Sequence, residues 1–147
     1  KGYIHYKSWI ETYKDLMDPR YLEKHSLEHC IDIAKKSPKN TLVAEYKNEI
    51  VGFAAYNKSS DSEYDRGEVY ALYVLKDYQK LGIGKVLMDE CIKRLASYKY
   101  VSVWVLHNNT KAILWYEKYG FKKDGKTKSI PVLNNYQLDE LRMTFIL

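Results

Sequence analysis

Apolar residues at Tyr6, Trp9, Ile10, Tyr13, Leu16 and Met17 recur at the i, i+3, i+4, i+7 spacing of a half-buried helix, which predicts one over His5–Met17. A second helical stretch runs from Asp18 to Lys36, with Pro19 as its first residue and a cap or break at Ser26. Ser37-Pro38-Lys39-Asn40 ends it, and the period then changes. Thr41–Tyr46 and Ile50–Asn57 are strand-like, joined across Lys47-Asn48-Glu49 as a hairpin. Lys58–Gly67 reads as a polar loop and Glu68–Leu75 as the next strand. Gly82–Ala96 is helical, with Val86, Leu87, Cys91, Ile92 and Leu95 inward. Tyr100–Leu106 is almost continuously apolar, as a central strand should be. Asn109–Tyr119 reads as a short helix, Gly120-Phe121 as the opening of a strand, Asp124–Asp139 as a polar loop and Leu141–Leu147 as a last strand. Such an order predicts one mixed sheet with helices on both faces. A strand–helix–strand crossover makes Glu68–Leu75 and Tyr100–Leu106 parallel neighbours.

Length and composition narrow the picture. With 147 residues, 46% hydrophobic and 29% charged, the chain suits a single folded domain over 1–147. Lys1–Ile10 carries no signal-peptide pattern, and no apolar run reaches the ~20 residues of a membrane helix. The two cysteines, Cys30 and Cys91, read as small buried residues in a reducing cytoplasm. The chain lacks an initiator Met, so its natural start is expected to have been trimmed. The net charge of +5 permits anionic partners, but the basic residues are scattered. An anionic small molecule fits them at least as well as nucleic acid, and neither nucleic acid nor membrane is expected as a partner.

The chemistry concentrates in Val69–Lys85, where a buried strand runs through a short loop into a helix. Helix starts leave N–H groups without partners and carry the positive end of the dipole. Gly82 and Gly84 would remove side chains that block approach to those groups, and Lys80 and Lys85 add charge, which makes a phosphate-type anion site. Two common phosphate loops do not fit. Gln79 stands where a P-loop needs its first Gly and Val86 where it needs Ser or Thr, and Leu87 replaces the third Gly of a dinucleotide fingerprint.

Gln79-x-x-Gly82-x-Gly84 after an apolar strand resembles the pyrophosphate loop of the GNAT superfamily of acyl-CoA-dependent N-acetyltransferases. Asn109-Thr-Lys-Ala112-Ile-Leu-Trp-Tyr116-Glu117-Lys118-Tyr-Gly120-Phe121 is similar to a second segment of that family, and Glu140-Leu-Arg-Met143 to its last strand. His5-x-x-Ser8-Trp9-x-x-Thr12-Tyr13 is similar to the first helix of many bacterial members, while the family's usual first strand is not in this chain. The resemblance implies an α/β fold, with a mostly antiparallel central sheet, one splayed parallel strand pair and helices on both faces. It implies an enzyme that transfers the acetyl group of acetyl-CoA to a primary amine of a small molecule or peptide.

The same resemblance implies the site residues. Backbone groups at Tyr73 and Val74 would meet the pantetheine arm. Those of Gln79, Lys80, Leu81, Gly82, Ile83, Gly84 and Lys85 would hold the pyrophosphate, and Asn109 would bond the arm. Tyr116 would protonate the leaving thiolate as general acid, although a chain with 15 tyrosines offers many structural ones. Glu68 is the base candidate, against its reading as a solvated strand-entry carboxylate. Alternation puts it on the sheet face of Val74, six residues on. Trp9 and Tyr13 could line the acceptor pocket, but both also lie on the apolar stripe.

No metal site is expected. His25 and His29 are four apart without a third ligand, and His107 reads as a loop histidine. Acidic residues at Glu11, Asp15, Asp18, Glu23, Glu28 and Asp32, with Asp61, Glu63, Asp65 and Glu68, would favour a cationic amine if they rim the acceptor side. The Asp124–Asp139 loop is long enough to shape a pocket or a dimer contact, and relatives are often homodimers. The same fold holding acyl-CoA as a sensor without turnover is the alternative.

Overall fold

The computed structural model describes residues 40–59, 65–133 and 135–147. The helices predicted over His5–Met17 and Asp18–Lys36 lie outside the described residues, and with them Trp9, Tyr13, His25, His29 and Cys30.

The first hairpin joins β1 (Thr41–Tyr46) to β2 (Glu49–Lys58). Lys47 and Asn48 both take positive φ, the left-handed pair whose twist suits a two-residue hairpin turn. The turn is therefore one residue tighter than the three-residue connection expected from the sequence. Next come β3 (Arg66–Val74), a 3-10 turn over Lys76–Leu81, and α1 (Ile83–Arg94). Then follow β4 (Tyr100–Leu106), α2 (Thr110–Tyr119), β5 (Lys122–Leu133) and β6 (Tyr136–Ile146). The six strands form one sheet in the order β1-β2-β3-β4-β6-β5, in which only β3 and β4 are parallel.

The predicted polar loop Asp124–Asp139 is instead most of the β5–β6 hairpin. β5 is the outermost strand, so its side chains need not alternate to fill a core. Lys122, Lys123, Lys126 and Lys128 and an in-strand Pro131 are what an exposed edge carries to resist pairing with other chains. Its register slips between Lys123 and Thr127, where Gly125 has φ +88°.

Both helices share one face of the sheet with the core. Val101, Val103 and Val105 of β4 and Met143 of β6 pack there with Leu87, Met88 and Cys91 of α1, Ile113 of α2, and Phe121. Cys91 is fully buried, and burial pushes its thiol up to about 12. It is a core residue, as its sequence context suggests.

A bulge corrects one expectation. Ala55 pairs with Ala71 and Tyr56 with Val69, so β3 takes two steps where β2 takes one. The alternation of β3 reverses at Tyr70. Val69, Leu72 and Val74 lie on the α1 side, whereas Ala71 and Tyr73 pack with Phe53 and Leu75 in a second cluster. Glu68, next to Val69, therefore faces away from the helices. It does not share a face with Val74, because the even spacing holds only along an unbroken strand.

Candidate active site

β3 and β4 pair over three positions, Arg66↔Tyr100, Gly67↔Val101 and Glu68↔Ser102. Beyond that point no register joins them among the described residues, although β3 continues to Val74 and β4 to Leu106. The two strands thus part at Glu68, immediately before the bulge. A parallel pair that splays presents strand edges to a ligand in place of a neighbour.

The loop beyond β3 ends in the 3-10 turn and Gly82, whose φ is +78°. Glycine, lacking a Cβ, takes that conformation at no steric cost. Among the described residues a Cβ built on Gly82 would meet nothing within 4 Å. Among the described residues no side chain caps α1, and its first turn has no acidic residue. The first intrahelical bond runs from the Val86 N–H to the Gly82 carbonyl at 3.2 Å. The preceding amides, Ile83 to Lys85, and the positive dipole end lie at that helix start.

The side chains of this loop make contacts of their own beside the backbone roles expected from the sequence. Gln79 donates from Nε2 to the Val74 carbonyl at 3.0 Å and accepts from Lys111 of α2 at 3.3 Å. Its side chain fastens the loop to the end of β3 and to α2. A Cβ on Gly84 would come 3.3 Å from the Trp115 ring, so this glycine lets α2 approach α1 and does not simply clear the amides. Lys85 pairs with Asp89 at 2.9 Å along the exposed helix surface, and Lys80 of the 3-10 turn is exposed.

Asn109 is buried and caps α2, its Oδ1 accepting from the Ala112 amide at 3.2 Å. Tyr116 is half-buried on α2, edge-on to Phe121 and to Trp115. Tyr119, one turn on, donates to Asp89 at 2.6 Å. That bond, with the one from Lys85, holds the Asp89 carboxyl below its usual range, while burial and the same bond push the Tyr119 phenol up. Glu68 and Tyr116 therefore stand on opposite sides of the sheet at the splayed pair, one facing away from the helices and one carried by α2.

The sequence reading missed a polar cluster on the Glu68 face. The buried Arg66 donates to Ser102 and, at 2.9 Å, to Thr144. Thr144 donates to Asp124 at 2.7 Å, and the buried Arg142 also reaches Asp124. Four strands are thereby tied together at the fork. Burial works against the charge on Asp124, but the bonds from Thr144, the Lys126 amide and Arg142 outweigh it and hold the carboxyl below its usual range. The available signal was the placement of Arg66, Ser102 and Arg142 in otherwise apolar strands.

The splayed pair and open helix start agree with what comparison with known proteins finds. The profile of the Acetyltransferase (GNAT) family matches residues 4–121. The chain belongs to that family. It is 32% identical over 122 residues to the uncharacterized N-acetyltransferase YuaI of Bacillus subtilis, covering 79% of this chain and 69% of that protein. It is 30% identical over 114 residues to the spermine/spermidine N(1)-acetyltransferase of the same organism, covering 72% of this chain and 74% of that one. A PaiA N-acetyltransferase from Thermoplasma acidophilum, solved in complex with coenzyme A, shares the fold with a TM-score of 0.71 at 21% identity. That likeness covers 98% of this chain and 89% of the other. The GNAT protein described here is accordingly an acetyl-CoA-dependent acyltransferase. Among the described residues no helix is long and apolar enough to cross a membrane, and no group of three or more His, Cys, Asp or Glu could hold a metal ion.

Proposed function

We propose that the chain is one N-acetyltransferase domain over 1–147, acting in the cytoplasm. It moves the acetyl group of acetyl-CoA directly onto a primary amine of a small molecule or peptide. The observation that carries this is the fork itself. β3 and β4 part at Glu68, and β3 runs on to a helix start which, among the described residues, has no side-chain cap and nothing within 4 Å of a Cβ on Gly82.

The pyrophosphate would rest on the amides from Gln79 to Lys85, with Lys80 nearby. The pantetheine arm would run between the strands past Tyr73 and Val74. With Oδ1 of Asn109 accepting the cap bond, its Nδ2 would donate to the arm. An alkylammonium, with a pKa near ~10, must lose a proton before it can attack. Glu68 would take that proton, directly or through water. The amine nitrogen then bonds to the thioester carbonyl carbon, the C–S bond breaks, and the Tyr116 hydroxyl protonates the departing sulfur, while the second proton lost by the attacking nitrogen passes through water to restore the Tyr116 phenol. The opposed placement of Glu68 and Tyr116 suits this division, with the amine arriving on one side of the split and the thiol leaving on the other.

The relative named for spermine and spermidine supports a cationic amine as acceptor. A homodimer is part of the proposal by analogy with relatives. The second reading, a sensor that binds acyl-CoA without turnover, is opposed by the presence of both Glu68 and Tyr116.

Calorimetric titration with acetyl-CoA tests the site. The wild type should bind in the micromolar range, and Gly82→Glu, which sets bulk and negative charge at that helix start, should abolish binding. Equal binding by the two proteins would remove the pyrophosphate from this loop. Binding without thiol release across an amine panel would favour the sensor.

A further inference from the structure

Trp104 follows Ser102 by two residues on β4, so it stands on the Glu68 face just beyond the fork. Lys128 of β5 places its ammonium 4.1 Å from the centroid of the Trp104 ring and 3.8 Å from Glu140 Oε1 of β6. An aromatic face with a carboxylate at its side is a cage for an alkylammonium, and indole is the strongest of the aromatic partners. The chain's own primary ammonium occupies this cage.

Two features make a purely structural role a poor account. The Trp104 Nε1–H is buried with no hydrogen-bond acceptor among the described residues, a cost that phenylalanine would avoid. The Glu140 carboxylate is largely withdrawn from solvent, and burial pushes its pKa up despite Lys128. Lys128, by contrast, is more than a third exposed and lies on an edge strand, where a long side chain can swing away.

Resting on the acetyltransferase reading above, we infer that Trp104 and Glu140 form a subsite for a second ammonium of the acceptor, and that Lys128 is the internal stand-in which this ammonium displaces. The acceptor class is then a diamine or polyamine. One nitrogen is held over Trp104 while another, on the same sheet face, meets the thioester beside Glu68.

The test compares 1,4-diaminobutane with n-butylamine in acetyl-CoA-dependent thiol release, alongside calorimetric binding of 1,4-diaminobutane to the same proteins. Lys128→Met removes the competitor and should lower KM for the diamine by about tenfold, leaving n-butylamine within about twofold. Glu140→Gln and Trp104→Phe should each raise the diamine KM by about tenfold and spare the monoamine. Trp104→Phe should do so with an unchanged or higher Tm. A Lys128→Met variant with an unchanged or higher diamine KM would overturn the inference. So would a Glu140→Gln effect shared equally by both amines, or a wild type that neither binds nor acetylates the diamine. If Glu140→Gln weakens diamine binding in calorimetry while no acetyl-CoA binds, the subsite stands and the transferase reading falls.

Discussion

Val101, Val103 and Val105 point from β4 into the core beneath α1 and α2, while Ser102 and Trp104, between them, point the other way. The helix side of the sheet is apolar from β2 to β6 and closes on Met88, Cys91 and Phe121. The opposite side changes character across the fork. Over β2 and β3 it is Phe53, Ala71 and Tyr73, and over β4, β6 and β5 it is Ser102, Arg142, Thr144, Asp124, Lys128 and Glu140. One side holds the sheet together by area removed from water. The polar half of the other does so by pairing charges that would be costly if left alone. The reacting groups proposed above gather where those two kinds of packing meet.

The comparison breaks most severely on the apolar side. Phe121 is 1% exposed and touches the rings of Tyr116, Tyr119 and Phe145. Phe121→Ala should destabilise the protein by about 4 kcal/mol in urea unfolding, the usual range for emptying a buried aromatic site. A loss under about 1 kcal/mol would mean that α2 resettles and that the aromatic cluster is not a rigid support for Tyr116.

Arg142→Met probes the polar side at nearly the same cost, about 3 kcal/mol, because it leaves the Asp124 carboxylate without its buried cation. The two losses should differ in their pH dependence. Asp124 is held below the unfolded value of ~3.9, so its contribution is complete above that pH and fades as pH falls through the folded pKa. Arg142→Met should therefore narrow its gap from wild type between pH 7 and pH 3, whereas the Phe121→Ala gap should stay nearly constant. Parallel pH profiles for both variants would show that Asp124 owes little to Arg142.

This contrast also explains what the amino-acid pattern disclosed. Thr41–Tyr46 and Tyr100–Leu106 coincide with the observed strands because a core on at least one side imposes the period. Only the opening of β5 was read, at Gly120-Phe121, because an edge strand facing solvent and charge has no apolar rhythm to carry it further. Arg66, Ser102 and Arg142 carried no signal of their cluster, since a sequence does not show that separate polar positions will be brought together. The bulge at Tyr70 has no composition of its own, so the facing of Glu68 could not be counted from Val74. Gln79 and Gly84 were visible as a motif, but their partners, Val74, Lys111 and Trp115, come from the strand end and a helix over 25 residues away.

The two glycines of the loop give the smallest effect and the finest test of how the faces divide labour. Both sit at the start of α1, but a Cβ on Gly84 meets Trp115 at 3.3 Å, whereas one on Gly82 meets nothing among the described residues. Gly84→Ala gains helix propensity of about 1 kcal/mol and asks Trp115 to yield a few tenths of an ångström, so its net effect on stability should stay within about 1 kcal/mol. Gly82→Ala instead forces a side chain into φ +78° and should cost about 1 kcal/mol in strain without any clash. If the helix start at Gly82 receives the pyrophosphate, Gly82→Ala should also weaken acetyl-CoA binding more than Gly84→Ala does. Calorimetry on the two alanine variants reads that order directly. The reverse order would mean that the approach of α2 to α1 through Trp115, and not the backbone at Gly82, sets the affinity of the site.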